Sequence, residues 1–242
     1  MKKRILPLIL LIMIPANSLA APKINTGRIL STVETFAGTA FFSLVGGVAY
    51  SYYNRSGDIP PAAKTALEKI LRKKGLLKPN EQQKFACGPE WATILNTIYI
   101  PKEEATCMAH SAITPEQSAI TLHEKGHQDN FHSIKTCLFG AAYWTIWTEL
   151  IHSRPAYSLL FIGPATGYLA FKKCSRHFEK EADDFMIQHA TYAELVSAKK
   201  FFERHLHHDR HDLVAQLTAT HPSFKDRIAN IQQEIDRRKK IK

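Results

Sequence analysis

The stretch ITLHEKGHQDN, residues 120–130, sets His123 and His127 four positions apart, with Glu124 directly after the first histidine. In an α-helix, residues four apart lie one turn above each other on the same face. Both imidazoles can then reach one metal ion, while Glu124, rotated around the helix, addresses a water on that ion. A helical start signal stands upstream: Thr114 is a capping residue, Pro115 suits the first helical position, and Gln117 completes a capping box. A helix from Pro115 through Asp129 is therefore expected. The pattern alone does not decide the chemistry, because a chain with 12 histidines can produce it by chance. An open hydrolytic zinc site also needs at least one further protein ligand.

That ligand is offered by SRHFEKEADDFMI, residues 175–187, a second helical run rich in carboxylates. Glu179 and Asp183 are four apart and share a face, whereas Glu181 is rotated by about 200° from Glu179. Glu179 can thus complete the ligand set, with Asp183 behind it as the acceptor for a ligand histidine, and Glu181 is expected in solvent. His110, His132 and His177 lie near these motifs without an assigned role. The cluster HLHHDRH at 205–211 follows no closed metal-site spacing and is expected to be a solvated helix end.

At 242 residues the chain has room for one domain with a sizeable core plus membrane segments, and hardly for two domains. Lys and Arg number 32 against 22 Asp and Glu, a formal charge of +10. No nucleic-acid recognition module accompanies this charge, which clusters beside apolar runs, so lipid is the expected partner and nucleic acid is not. Residues 1–20 read as a secretory signal or uncleaved signal anchor: basic residues, an apolar run over 5–15, then small residues before Ala20. Residues 35–53 form a second apolar stretch, long enough for a tilted transmembrane helix.

A single catalytic or binding unit would then occupy residues 60–242. Ala63, Ala66, Leu67, Ile70 and Leu71 recur at helical spacing among lysines and arginines, and Gly75 stops that helix. Residues 91–100, WATILNTIYI, read as one strand ending before Pro101, a candidate edge for an extended peptide. The two apolar arms 137–151 and 157–171 form a hydrophobic helical hairpin between the metal motifs. Each arm has 15 residues, about 22 Å of helix, so the pair is a thin-membrane hairpin, a re-entrant one, or two core helices. Tyr143, Trp144, Trp147, Tyr157 and Tyr168 supply interfacial aromatics. Cys137 and Cys174 bracket the hairpin, and Cys87 with Cys107 could close a second loop; free thiols are the alternative. The fold class is mostly α with a small β element, an α+β arrangement.

At these residues the sequence resembles the zinc metallopeptidases of family M forty-eight, which include the CAAX prenyl endopeptidase and the HtpX heat-shock protease. His-Glu-Lys-Gly-His at 123–127 is similar to the family's zinc-binding helix. Ser175-Arg176, Glu179, Ala182 and Asp183 are similar to its second motif, and His221-Pro222 with Arg227-Ile228 to its C-terminal one. The resemblance implies a zincin-like metallopeptidase domain with one Zn2+ per chain, bound by His123, His127 and Glu179, and with Glu124 as general base. It further implies that His221 steadies the oxyanion and that Arg227 supports that region. The expected function is a membrane-associated zinc metalloendopeptidase acting on proteins or peptides in protein quality control. The alternative is a non-proteolytic zinc-binding membrane chaperone or scaffold. The bacterial inner membrane is the expected location, with the facing of the active site left open between cytoplasm and periplasm.

Overall fold

The computed structural model describes residues 32–41, 45–46, 49, 55–153, 157–206 and 221–240. The expected signal at 1–20 lies outside them, as do His207, His208 and His211, and so does part of the apolar stretch 35–53, of which residues 35–41, 45–46 and 49 are described and helical. The elements in chain order are α1 (Pro61–Lys73), β1 (Lys84–Gly88), β2 (Ala92–Ile94), β3 (Thr97–Pro101), α2 (Lys102–His110), α3 (Pro115–Asp129), α4 (His132–Ser153), α5 (Tyr157–His189), α6 (Tyr192–His205) and α7 (Phe224–Lys239). The fold is thus mostly helical with one small sheet.

Alternation of apolar residues at helical spacing builds the core. Leu67 and Leu71 of α1, Leu122 of α3, Met186 of α5, Leu195 of α6 and Ile231 of α7 converge on Ile98 and Ile100 of β3, all of them buried. Helix α3 starts where the capping residues place it: the Thr114 side chain accepts from the Gln117 backbone and the Gln117 side chain from the Thr114 backbone.

The run 91–100 is two strands, not one. Leu95, at φ 55°, and Asn96 reverse the chain between β2 and β3, which pair antiparallel. An uninterrupted β-branched and aromatic run carries no glycine to signal this turn, and the conformation is held from outside: Leu95 N–H donates to Ser133 Oγ at 3.0 Å, and Gln128 donates to the Asn96 carbonyl at 2.9 Å. The sheet order is β1-β3-β2, with β1 parallel to β3. The strand ending at Ile100 is therefore central, and the edge strand beside the metal motif is β2.

The two apolar arms do form a helical hairpin, α4 against α5, but the second arm and the carboxylate-bearing motif are one helix of 33 residues, about 50 Å long. A Cβ on Gly163 or Gly167 would collide with Trp147 or Tyr143, so these two glycines make room for the aromatic rings of α4. Tyr143 also donates its hydroxyl to the Gly163 carbonyl. Those two aromatics therefore pack between helices and do not serve as an interfacial belt, whereas Trp144 and Tyr168 are exposed. No helix among the described residues is long and apolar enough to cross a membrane. Cys87, Cys107, Cys137 and Cys174 are all free thiols, which is the second of the two readings the sequence left open.

Candidate metal centre

Helices α3 and α5 lie against each other at their small residues. A Cβ on Gly126 would meet the Ala182 backbone and the Phe185 Cβ at 3.0 Å, so only glycine permits this separation. The close contact brings the expected ligands together. His123 Nε2 and His127 Nε2 are 3.1 Å apart, and they lie 3.4 and 3.3 Å from the two carboxylate oxygens of Glu179.

Those separations bear on whether a metal fits. Three donors about 2.0–2.1 Å from a tetrahedral ion would stand roughly 3.4 Å from one another, close to what the side chains adopt. His123, His127 and Glu179 form the one metal-type cluster among the described residues, and two imidazoles with one carboxylate suit zinc while leaving a coordination position open.

The remaining expected residues surround this cluster. Asp183 accepts from His123 Nδ1 at 2.9 Å, and Arg227 of α7 donates to Asp183 at 2.5 Å with its guanidinium over the Phe202 ring. His221 stands over the cluster, half exposed, with Nδ1 2.9 Å from Glu179. Glu124 is buried on the β2 side of α3, where Thr93 Oγ1 lies 2.9 Å from its Oε2 and from its backbone carbonyl. Cluster and base open into a cleft of about 690 Å³ whose walls include Trp91, Ile120 and Phe201.

Electrostatics couple these groups tightly. Burial disfavours a charged His123, but its hydrogen bonds with Asp183 and Glu179 outweigh this and raise its pKa to about 10. Burial likewise pushes the Glu179 and Asp183 carboxyls up, yet their histidine partners, with Arg227 beside Asp183, hold both well below the usual range.

Three residues without an expected role belong to the site's surroundings. Thr93 comes from the edge strand, which no helical spacing connects to Glu124. His132, 4% exposed, sits 2.7 Å from His127 Nδ1, because Asn130 and Phe131, the latter at φ 55°, turn the chain back after α3. Glu181 is not simply solvated: it accepts from His132 at 2.9 Å and from Lys135 at 3.2 Å. A histidine just past a helix-ending asparagine was the available signal for His132.

Two imidazoles and a carboxylate from neighbouring helices, with a buried glutamate next in chain to one imidazole, define the site of a metal-dependent hydrolase. The family model of Peptidase family M48 matches residues 106–235, more than half of the chain, and the chain belongs to that family of metallopeptidases. No curated protein and no solved structure matches it.

Proposed function

We propose that the protein is a zinc endopeptidase in which His123, His127 and Glu179 hold one zinc ion and Glu124 is the general base. The observation that supports this most directly is the 3.1–3.4 Å mutual spacing of the three ligand side chains beside a buried Glu124. A zinc ion there supplies Lewis-acid polarisation of the scissile carbonyl and acidifies water. Glu124 accepts the proton of the attacking water and returns it to the leaving amine, both within the cleft. Asp183 and Arg227 hold the His123 ring in place. His221, exposed over the cluster, is positioned by its contact with Glu179 to donate toward the developing oxyanion. An extended substrate pairs with β2, an edge strand whose one strand partner among the described residues is β3.

The metal and the activity are tested together. The purified chain is expected to hold one zinc ion and to cleave an unfolded reporter protein, to lose cleavage on chelation, and to regain it on zinc addition. A chain that binds no zinc contradicts this reading, and one that binds zinc without cleaving anything favours the scaffold alternative.

The protein associates with membrane lipid through its hairpin, which lies in the interface without crossing it. Ile134, Leu138, Trp144, Ile146, Leu169 and Phe171 are exposed large apolar residues on α4 and α5, and Lys172 lies over the Tyr168 ring. Flotation with anionic vesicles should carry the chain upward, and its absence contradicts the association. Quality control of envelope or membrane proteins at the bacterial inner membrane is the role in keeping with such a site. Accumulation of misfolded membrane proteins on loss of the protein tests it, and unchanged levels speak against it.

A further inference from the structure

We infer that His132 and Glu181 form a positioning pair for the ligand histidine His127, fixing its tautomer and ring orientation. The inference rests on the metal centre proposed above. His127 Nε2 faces His123 and Glu179, and its Nδ1 lies 2.7 Å from His132 Nδ1. Between two such nitrogens one carries the hydrogen and the other accepts it. A nitrogen that gives its lone pair to a metal carries no hydrogen, so with Nε2 as the ligand atom the His127 hydrogen is on Nδ1 and is donated to His132. His132 Nδ1 then accepts, which places its own hydrogen on Nε2, and that nitrogen is 2.9 Å from Glu181 Oε2. Each link allows one arrangement, and the chain ends on a carboxylate that can only accept.

The surroundings hold this arrangement. The His132 ring is stacked on Phe178 at 4.7 Å between centroids and 17° between planes, and the residue is buried. Lys135 and His177 approach Glu181 at 3.2 and 3.5 Å and keep its carboxylate at this spot. The two ligand histidines are thus served differently: Asp183 accepts from His123 directly, whereas the carboxylate behind His127 acts through an intervening imidazole.

The test compares zinc affinity of the full chain, by competition with a chromophoric chelator, and the visible absorption of the cobalt-substituted protein. His132→Phe keeps the stack on Phe178 and removes both ring nitrogens, while His132→Asn restores an acceptor toward His127. The phenylalanine variant is expected to bind zinc about 10–100-fold more weakly, with a shifted cobalt spectrum and unchanged circular dichroism, and the asparagine variant to recover most of the loss. Equal affinity and spectrum in wild type and His132→Phe overturn the inference, as does an equal loss in both variants. Should His132→Phe fail to fold, Glu181→Leu reads the same chain, and unchanged affinity there overturns it. A wild type that binds no zinc overturns the metal centre itself, an outcome distinct from the others.

Discussion

The Thr93 hydroxyl lies 2.9 Å from both the carboxylate and the backbone carbonyl of Glu124. A hydroxyl has one hydrogen and can also accept. It donates to the carboxylate while Glu124 is ionised; once Glu124 carries a proton, the hydroxyl accepts that proton's hydrogen bond and donates to the carbonyl. One residue thereby accommodates both states of a base that takes up and returns a proton. Thr93→Val, which keeps the branched shape, should lower kcat by about 10-fold or more, the worth of a hydrogen bond to a charged group, with KM and zinc content little changed. Thr93→Ser should restore most of the rate, and a valine variant as fast as wild type removes this role. His123, Glu124, His127, Glu179 and Asp183 were legible in the sequence because helical spacing alone relates the residues within each of the two motifs. Thr93 and His132 were not, because a sheet edge and a left-handed turn bring them in.

At the scale of elements, Gly126 decides how near α3 comes to α5. Glycine inside a helix costs about 1 kcal/mol relative to alanine, so Gly126→Ala gains helix propensity. It also places a methyl group 3.0 Å from the Ala182 backbone, which a side-chain rotation cannot relieve. Overpacking of this kind costs about 1–3 kcal/mol, and the helices must part where the ligands meet. The variant should melt lower than wild type and bind zinc more weakly, measured by thermal denaturation and chelator competition. Unchanged zinc affinity would mean the ligand geometry does not depend on this contact. The capping box before α3 and the glycine after α1 were readable locally. The β2–β3 turn was not, since contacts from Gln128 and Ser133 hold it and no residue type in the strand announces it.

Across the whole molecule, Glu194 ties distant segments together. It accepts from Lys74 beyond α1 at 2.7 Å and from Ser118 of α3 at 2.5 Å, while also closing the cap of its own helix α6. Burial pushes its carboxyl up, but the hydrogen bonds from Lys74, Ser118 and Thr191 more than offset this and hold it below the ordinary value of 4.5. A carboxyl depressed in the folded state contributes stability that is present above its unfolded pKa and is lost as pH falls through the folded one. Glu194→Gln should therefore cost roughly 3 kcal/mol near neutrality by leaving Lys74 without its counter-charge, and this difference should shrink as the pH is lowered below about 4.5. Denaturant titrations across that range test it, and a difference independent of pH speaks against it. The sequence disclosed the mostly helical class but left the hairpin open between membrane and core: hydropathy marks the arms as apolar without telling helix contact from lipid contact, and Gly163 and Gly167 take Trp147 and Tyr143 into helix contact. The central claim is that zinc bound by two histidines and Glu179 works with Glu124 to hydrolyse peptide bonds. Its most direct test is cleavage of an unfolded reporter by wild type and Glu124→Gln at equal bound zinc. The account predicts cleavage by the wild type and a loss of at least about 10²-fold in the variant with zinc retained; equal rates, or no zinc in either protein, would contradict it.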